Sequence, residues 1–233
     1  MRVAITGEKG FLGIHLTSYF KHILKYEVIE LGRDYLEELS KKKQIDWLIL
    51  GAFIHRHPEK NKVLDLNRNL TQNTLKVLEK SNFNGNIAFL SSIQEGNGSP
   101  YGQAKKEARE VFANYCLKTN SKFIAFKLPN IFGEYAKPKH TSFIATFCYN
   151  LNNDISIDYN KNKVSLCYVH DAIKIIAKFE QINFPITETT VETVYFILKD
   201  TKNNIKQGIL PSFKTKLELD LYNTYLRYIH YRL

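Results

Sequence analysis

The sequence predicts an α/β protein, a doubly wound parallel sheet with a small C-terminal lobe. Two observations predict it. Short apolar runs alternate with segments of helical period over roughly the first 130 residues, and that rhythm stops after Pro129. "RVAIT" (2–6) is the first strand, and Leu12, Leu16, Tyr19, Phe20 and Ile23 recur behind it at helical spacing. "EVIEL" (27–31) is the second strand, "YLEELSKKK" (35–43) a short helix, and "DWLIL" (46–50) the third strand before the turn-rich "HRHPEK". Val63, Leu66, Leu70, Thr74 and Val77 mark one helix face. "NIAFLS" (86–91) is the fourth strand, 101–119 a helix and "KFIAFKL" (122–128) the fifth strand. Parallel neighbours need right-handed crossovers, which put helices on both faces of the sheet.

Beyond Pro129 the expected elements are a helix at "TSFIATFCYNL", a hairpin at "ISIDYNKNKVSL", a helix at "DAIKIIAKF", a strand at "TVYFIL" and a terminal amphipathic helix over 214–233. The expected division is a first domain over 1–130 and a small lobe over 131–233, with 168–182 packing back on the first domain. With 233 residues, 44% hydrophobic and 24% charged, the chain is long enough for a real core. It shows no signal-peptide pattern and no apolar run near ~18 residues, so a cytoplasmic protein without a membrane partner is expected. Cys116, Cys148 and Cys167 are odd in number and far apart, which disfavours disulfides and zinc. The net charge of +10 is spread along the chain without a nucleic-acid-binding signature. By itself such a charge suits any polyanion, from nucleic acid to a membrane surface to a small phosphate-bearing substrate.

"TGEKGFLG" places Gly7, Gly10 and Gly13 between the first strand and the first helix. There glycines permit a tight turn and let a pyrophosphate reach the helix N-terminus. That context makes the fold Rossmann-type and the ligand a dinucleotide. The 2' position of its ribose is read at the end of the second strand, in "ELGRD". Arg33 there favours NADPH, and Asp34 keeps NADH open.

In "SSIQEGNGSPYGQAK" (91–105), Tyr101 and Lys105 stand at i and i+4 and share a helix face. An ammonium near a phenol favours its ionised form, and a serine at the preceding strand end can hold a substrate oxygen. The position, after the fourth strand on the C-terminal edge of the sheet, is where ligands of open α/β sheets bind. His55, His57 and Glu59 lack a third convincing metal ligand and read as surface or cofactor-adjacent residues. His170 and Asp171 are adjacent and leave a proton relay open, and the tyrosines of "LYNTYLRYIHYRL" read as packing of the lobe or of a subunit contact.

On "TGEKGFLG", Asn67, "SS" at 91–92, Tyr101-x-x-x-Lys105, "LPNIFG" and "YVHDA", the chain resembles the extended short-chain dehydrogenase/reductases, the NAD-dependent epimerase/dehydratase family. The resemblance implies that Tyr101 is the acid/base, that Lys105 lowers its pKa and binds the nicotinamide ribose, and that Ser92 orients the carbonyl. It also implies a cofactor site of Gly7, Lys9, Gly10, Phe11, Leu12, Gly13, Arg33, Gly51, Ala52, Asn67, Tyr101, Lys105 and Pro129. Substrate contacts are implied at Ser92, Asn130, Lys137, His140 and Ser142. "LPNIFGEYAKPKHTSFIATFCYNL" and "GILPSF" are further similar to the reductase half of the capsular UDP-N-acetyl-L-fucosamine synthases, which continue into a cupin domain. The likeness implies an NADPH-dependent reductase of a nucleotide-linked 4-keto-6-deoxy sugar, a homodimer, and a separate cupin-type epimerase as partner. Two alternatives stay open: an NAD-retaining 4-epimerase or 4,6-dehydratase, and a non-catalytic NADPH-binding or partner subunit. Leu50 stands where a histidine is usual in the family.

Overall fold

The computed structural model describes residues 1–32, 35–41, 44–60 and 62–230. They divide into two compact units, one of 1–128 with 173–183 and one of 129–172 with 184–233. The returning segment is thus 173–183 rather than 168–182. The start of "YVHDA" is held in the second unit because the strand before it pairs there up to Tyr168.

The first unit carries a five-stranded parallel sheet in the order β2-β1-β3-β4-β5, with β1 Arg2–Thr6, β2 Glu27–Leu31, β3 Trp47–Leu50, β4 Asn86–Ser92 and β5 Phe123–Leu128. The chain winds outward from β1 to β2, then crosses to the other side of β1 for β3. This puts the topological switch point, where ligands of such sheets bind, at the C-terminal ends of β1 and β3.

Strand alternation sends Ala4, Leu48, Leu50, Ile87 and Phe89 into one core with α2 (Tyr35–Lys41), α3 (Lys62–Lys80) and α4 (Pro100–Thr119). Trp47, which alternates with Leu48, stacks on Phe179, and Phe179 stacks on Phe20. Phe20 belongs to a π-helical turn, Tyr19–Ile23, that continues α1 (Phe11–Ser18). Both faces of the sheet are therefore covered, as the crossover argument requires.

The second unit holds a three-stranded sheet in the order β6-β7-β8, with β6 Asn130–Phe132, β7 Lys163–Tyr168 and β8 Thr187–Thr190. Its helices are α5 Phe143–Asn152, α7 Val191–Lys206 and α8 Lys216–Leu226, and α6 Val169–Ile176 begins in it and runs on from residue 173 into the first unit. Two expected elements differ. "TVYFIL" reads as a strand from its β-branched and aromatic residues, yet it lies inside α7, where Val194 and Leu198 are buried one helical turn apart and Thr190 caps the N-terminus through Thr193 N (3.0 Å). Tertiary burial overrides a weak local preference there. The expected hairpin over 155–166 contributes only β7, which finds its partners in β6 and β8 instead of in its own neighbour. The terminal helix is also shorter than expected, ending at Leu226.

Cys116, Cys148 and Cys167 are free and buried. Among the described residues no helix is long and apolar enough to cross a membrane.

Candidate active site

Gly7 leaves β1 with φ +73, and a Cβ there would lie 3.0 Å from Ala52 N, so the turns after β1 and β3 converge at the switch point. Thr6 binds them together: its Oγ1 accepts from Gly51 N (3.0 Å) and Ala52 N (3.1 Å). Gly13, in the first turn of α1, has no room for a side chain, since a Cβ would fall 2.1 Å from Gly7 O. Gly10 is the N-cap of α1 and offers no side-chain hydrogen bond, so the first N–H groups of the helix face the loop without a side-chain acceptor. A helix N-terminus without a side-chain cap, approached by a loop whose glycines leave the backbone bare at 7 and 10, fits a dinucleotide pyrophosphate. Phe11 and Leu12 are half-buried and Lys9 is exposed. Arg33 and Asp34, on which the choice between NADPH and NADH turns, lie outside the described residues.

Asn67 is fully buried and clamps the stretch after β3. Its Oδ1 accepts from Ile54 N (2.9 Å), and its Nδ2 donates to Ile54 O (2.9 Å) and Val63 O (2.8 Å). With its amide engaged in this way, Asn67 acts on the pocket by fixing the backbone that follows Gly51 and Ala52.

The second half of the site is the corner between β4 and α4. Ser92 is the last residue of β4, and its Oγ accepts from Gln94 N (3.1 Å). Ser99 caps α4 by accepting from Gly102 N (3.0 Å), and Pro100 occupies the first turn, where its missing N–H costs nothing. Gly102 packs against the corner so closely that a Cβ would meet Gln94 O at 2.1 Å. Tyr101 and Lys105 then project from the first two turns of α4. Lys105, 2% exposed, donates to Leu90 O (2.6 Å), and its Nζ lies 3.8 Å from the centre of the Phe53 ring. Tyr101 is stacked on His55 (centroids 4.7 Å) and meets Phe53 edge to face (5.9 Å).

Burial decides the protonation of both groups. The Lys105 amine is pushed down to about 7 by desolvation, with the charge of Glu95 acting upward. Tyr101 is raised by burial, whereas the sequence reading has the lysine lowering it. The reason is geometric: the ammonium is directed at Leu90 O and Phe53 and stands 5.7 Å from the Tyr101 ring centre. A neutral phenol at pH 7 is a proton donor.

Sequence reasoning gave no part to Thr6, although it opens "TGEKGFLG", or to Phe53, which lies in no motif. His55, read as surface or cofactor-adjacent, lies against Tyr101. Glu95 is turned inward, where it accepts from Ser91 Oγ and Arg109 Nε (2.9 Å). The signal available for Glu95 was its place between the two serines and the tyrosine.

The remaining expected residues belong to the second unit. Pro129 is buried at its start. Asn130 opens β6 and donates through Nδ2 to Ser165 O (3.3 Å). Lys137 and His140 are exposed on the stretch that leads to α5, and Ser142 caps that helix by accepting from Ala145 N (3.2 Å).

Comparison with known proteins follows this geometry. A curated Pseudomonas aeruginosa protein, UDP-2-acetamido-2,6-beta-L-arabino-hexul-4-ose reductase, is 27% identical over 247 residues, a match covering 98% of this chain and 65% of that protein. The capsular polysaccharide assembling protein CapF from Staphylococcus aureus superposes with a TM-score of 0.81 at 26% identity, over 98% of this chain and 66% of the other. The chain thus spans just under two thirds of the length of these relatives. UDP-glucose 4-epimerase from Thermotoga maritima shares the fold, with a TM-score of 0.80 at 16% identity over 97% of this chain and 98% of the other. The model of the NAD dependent epimerase/dehydratase family matches residues 3–182, from the first strand into the returning segment, and the chain belongs to that family.

Proposed function

We propose that the protein is an NADPH-dependent reductase acting on the C4 keto group of a nucleotide-activated 4-keto-6-deoxy hexose, in the making of a bacterial surface-polysaccharide precursor. The observation that supports this reading is the corner of β4 and α4, where a neutral Tyr101 and a buried Lys105 stand on the first two turns of α4 and Ser92 ends β4. The curated reductase relative and the capsular protein support the substrate class.

The glycine loop and the N-terminus of α1 would hold the pyrophosphate and Gly51 and Ala52 would line the pocket, while the choice of NADPH rests on Arg33 in the sequence alone. When bound, the nicotinamide supplies the hydride. Ser92 Oγ already accepts from Gln94 N, which leaves its own proton to donate to the carbonyl oxygen. Tyr101 gives that oxygen its proton, and Lys105 returns positive charge to a site from which burial has removed water. Asn130, Lys137, His140 and Ser142 are the proposed sugar and phosphate contacts, on a homodimeric enzyme working in the cytoplasm.

A 4,6-dehydratase needs a second acid at the tyrosine. Glu95, the acid in this corner, is instead held by Ser91 and Arg109. The test is calorimetric titration of the purified protein with NADPH and NADH, followed by NADPH oxidation on a UDP-linked 4-keto-6-deoxy sugar. Tight NADPH binding to nucleotide-free protein with oxidation on addition of the sugar supports the reductase. Copurified NAD with no net oxidation turns the reading to the epimerase or dehydratase, and no binding at all turns it to a silent partner subunit.

A further inference from the structure

Glu95 has no role in the reaction as drawn, yet its side chain is only 5% exposed. An acidic side chain is seldom buried unless it is paired, and Glu95 is engaged from three elements. Ser91, the penultimate residue of β4, donates its hydroxyl to Oε1. Arg109, on the third turn of α4, donates Nε to Oε2 (2.9 Å), and Lys127 of β5, the register partner of Ser91, stands 3.8 Å from the same oxygen. Glu95 N also donates to Ser92 O (3.1 Å), so backbone and side chain together fold the turn back on the strand end that carries Ser92.

Lys105 grips the neighbouring backbone: Leu90, whose carbonyl accepts from it, directly precedes Ser91. Two buried side chains of opposite charge thus hold consecutive residues of one strand end. Among the described residues, the ionisable or charged groups that bear on Lys105 are Glu95 from the turn and Tyr101 from its own helix. The stretch after β3 supplies the Phe53 ring and His55, the latter stacked on Tyr101. Around Glu95 stand Arg109, Lys127 and Lys105, with Glu110 drawing on Arg109 (3.6 Å).

We propose that Glu95 is a positioning residue of this site: clamped between Ser91 and Arg109, its carboxylate anchors the turn between Ser92 and Tyr101 and places negative charge beside the strand end that the buried Lys105 ammonium grips. The role of Lys105 in turnover rests on the reductase reading, whereas the pairing of charges does not. Opposite charge close to an ionisable group favours its charged form, so Glu95 keeps part of the Lys105 population protonated near neutrality. Without that carboxylate, Leu90 O and the aromatic rings would hold a smaller protonated fraction, and a neutral amine donates less strongly and stabilises a developing negative charge less well.

The test is a pH titration of the Lys105 side chain by 13C NMR at Cε in the full chain, its resonance assigned by its disappearance in Lys105→Arg. Glu95→Gln keeps shape and hydrogen-bonding capacity while removing the charge, and should lower the Lys105 midpoint by roughly one pH unit, the low end for loss of an adjacent opposite charge. Glu95→Asp, which keeps the charge, should restore most of it. If Glu95→Gln does not fold, Arg109→Gln serves in its place: removing the cation that offsets Glu95 should raise the midpoint. A midpoint unmoved in whichever variant folds overturns the proposal, because a carboxylate that only braces the turn would change melting temperature and not the titration of Lys105. Failure of the wild-type protein to bind NADPH would sink the reductase reading and leave this result standing.

Discussion

The two halves of the site are held in opposite ways. The loop after β1 is shaped by side chains that are not there: Gly7 takes a left-handed backbone and Gly13 admits no Cβ at all. The corner after β4 is shaped by side chains that are buried at a cost, a lysine in an aromatic box, a phenol and an inward carboxylate. A loop defined by sterics should fail abruptly when atoms are added. A corner defined by desolvated charge should respond to pH and should gain stability when its chemistry is removed.

The largest expected effect breaks the first half of that comparison. In Gly13→Ala the new methyl falls 2.1 Å from Gly7 O, a backbone atom with nowhere to go, whereas in Gly10→Ala it falls at 3.0 Å from the same atom. Gly13→Ala should lose about 4 kcal/mol or more of stability in urea unfolding, together with NADPH binding. Gly10→Ala should fold and bind more weakly. Equal behaviour of the two variants would mean that the loop rearranges and that its glycines are not sterically required.

The next effect sharpens the second half. The folded-state pKa of Lys105, about 7, lies below its unfolded value near 10.4. Between those values the unfolded chain binds more protons, so the stability contribution of this group rises with pH through that window and is at its least below it. Lys105→Met should therefore abolish turnover yet be the more stable protein at pH 7, by on the order of 3–5 kcal/mol before loss of the hydrogen bond to Leu90 O is counted. The gap should close as pH approaches 10. A variant less stable than wild type at both pH values would show that Lys105 holds the corner together instead of straining it. Tyr101→Phe, smaller still, removes one hydroxyl. Turnover should fall by at least ~100-fold, about 2.7 kcal/mol in barrier, with NADPH affinity unchanged.

The same contrast explains what could be read in advance. Steric requirements are written one residue at a time, so the glycine loop, the five strands before Pro129 and the order of Ser92, Tyr101 and Lys105 were legible. Buried polar contacts are not, because they depend on which distant residues meet. Nothing local announces that Thr6 ties together Gly51 and Ala52, or that Asn67 is consumed by Ile54 and Val63. Direction of charge is equally hidden: Tyr101 and Lys105 at i and i+4 suggest a lowered phenol, and burial raises it. In the second unit the short strands offer little pattern. "TVYFIL" has strand chemistry in every residue and becomes helix because Val194 and Leu198 meet a core.

Ser142 gives the smallest effect and separates two roles that the sequence merges. As the N-cap of α5 its hydroxyl accepts from Ala145 N, and Ser142→Ala should cost about 1 kcal/mol, read as a drop of a few degrees in melting temperature. As a substrate contact the same hydroxyl would also raise KM when lost. Ser142→Asp distinguishes the two, since aspartate caps as well as serine but places a negative charge where a sugar diphosphate would lie. If Ser142→Asp melts like wild type and keeps its KM, the residue is a cap alone. If it melts like wild type and its KM rises, α5 presents its N-terminus to the substrate, and the second unit, like the first, would use a helix start to meet phosphate.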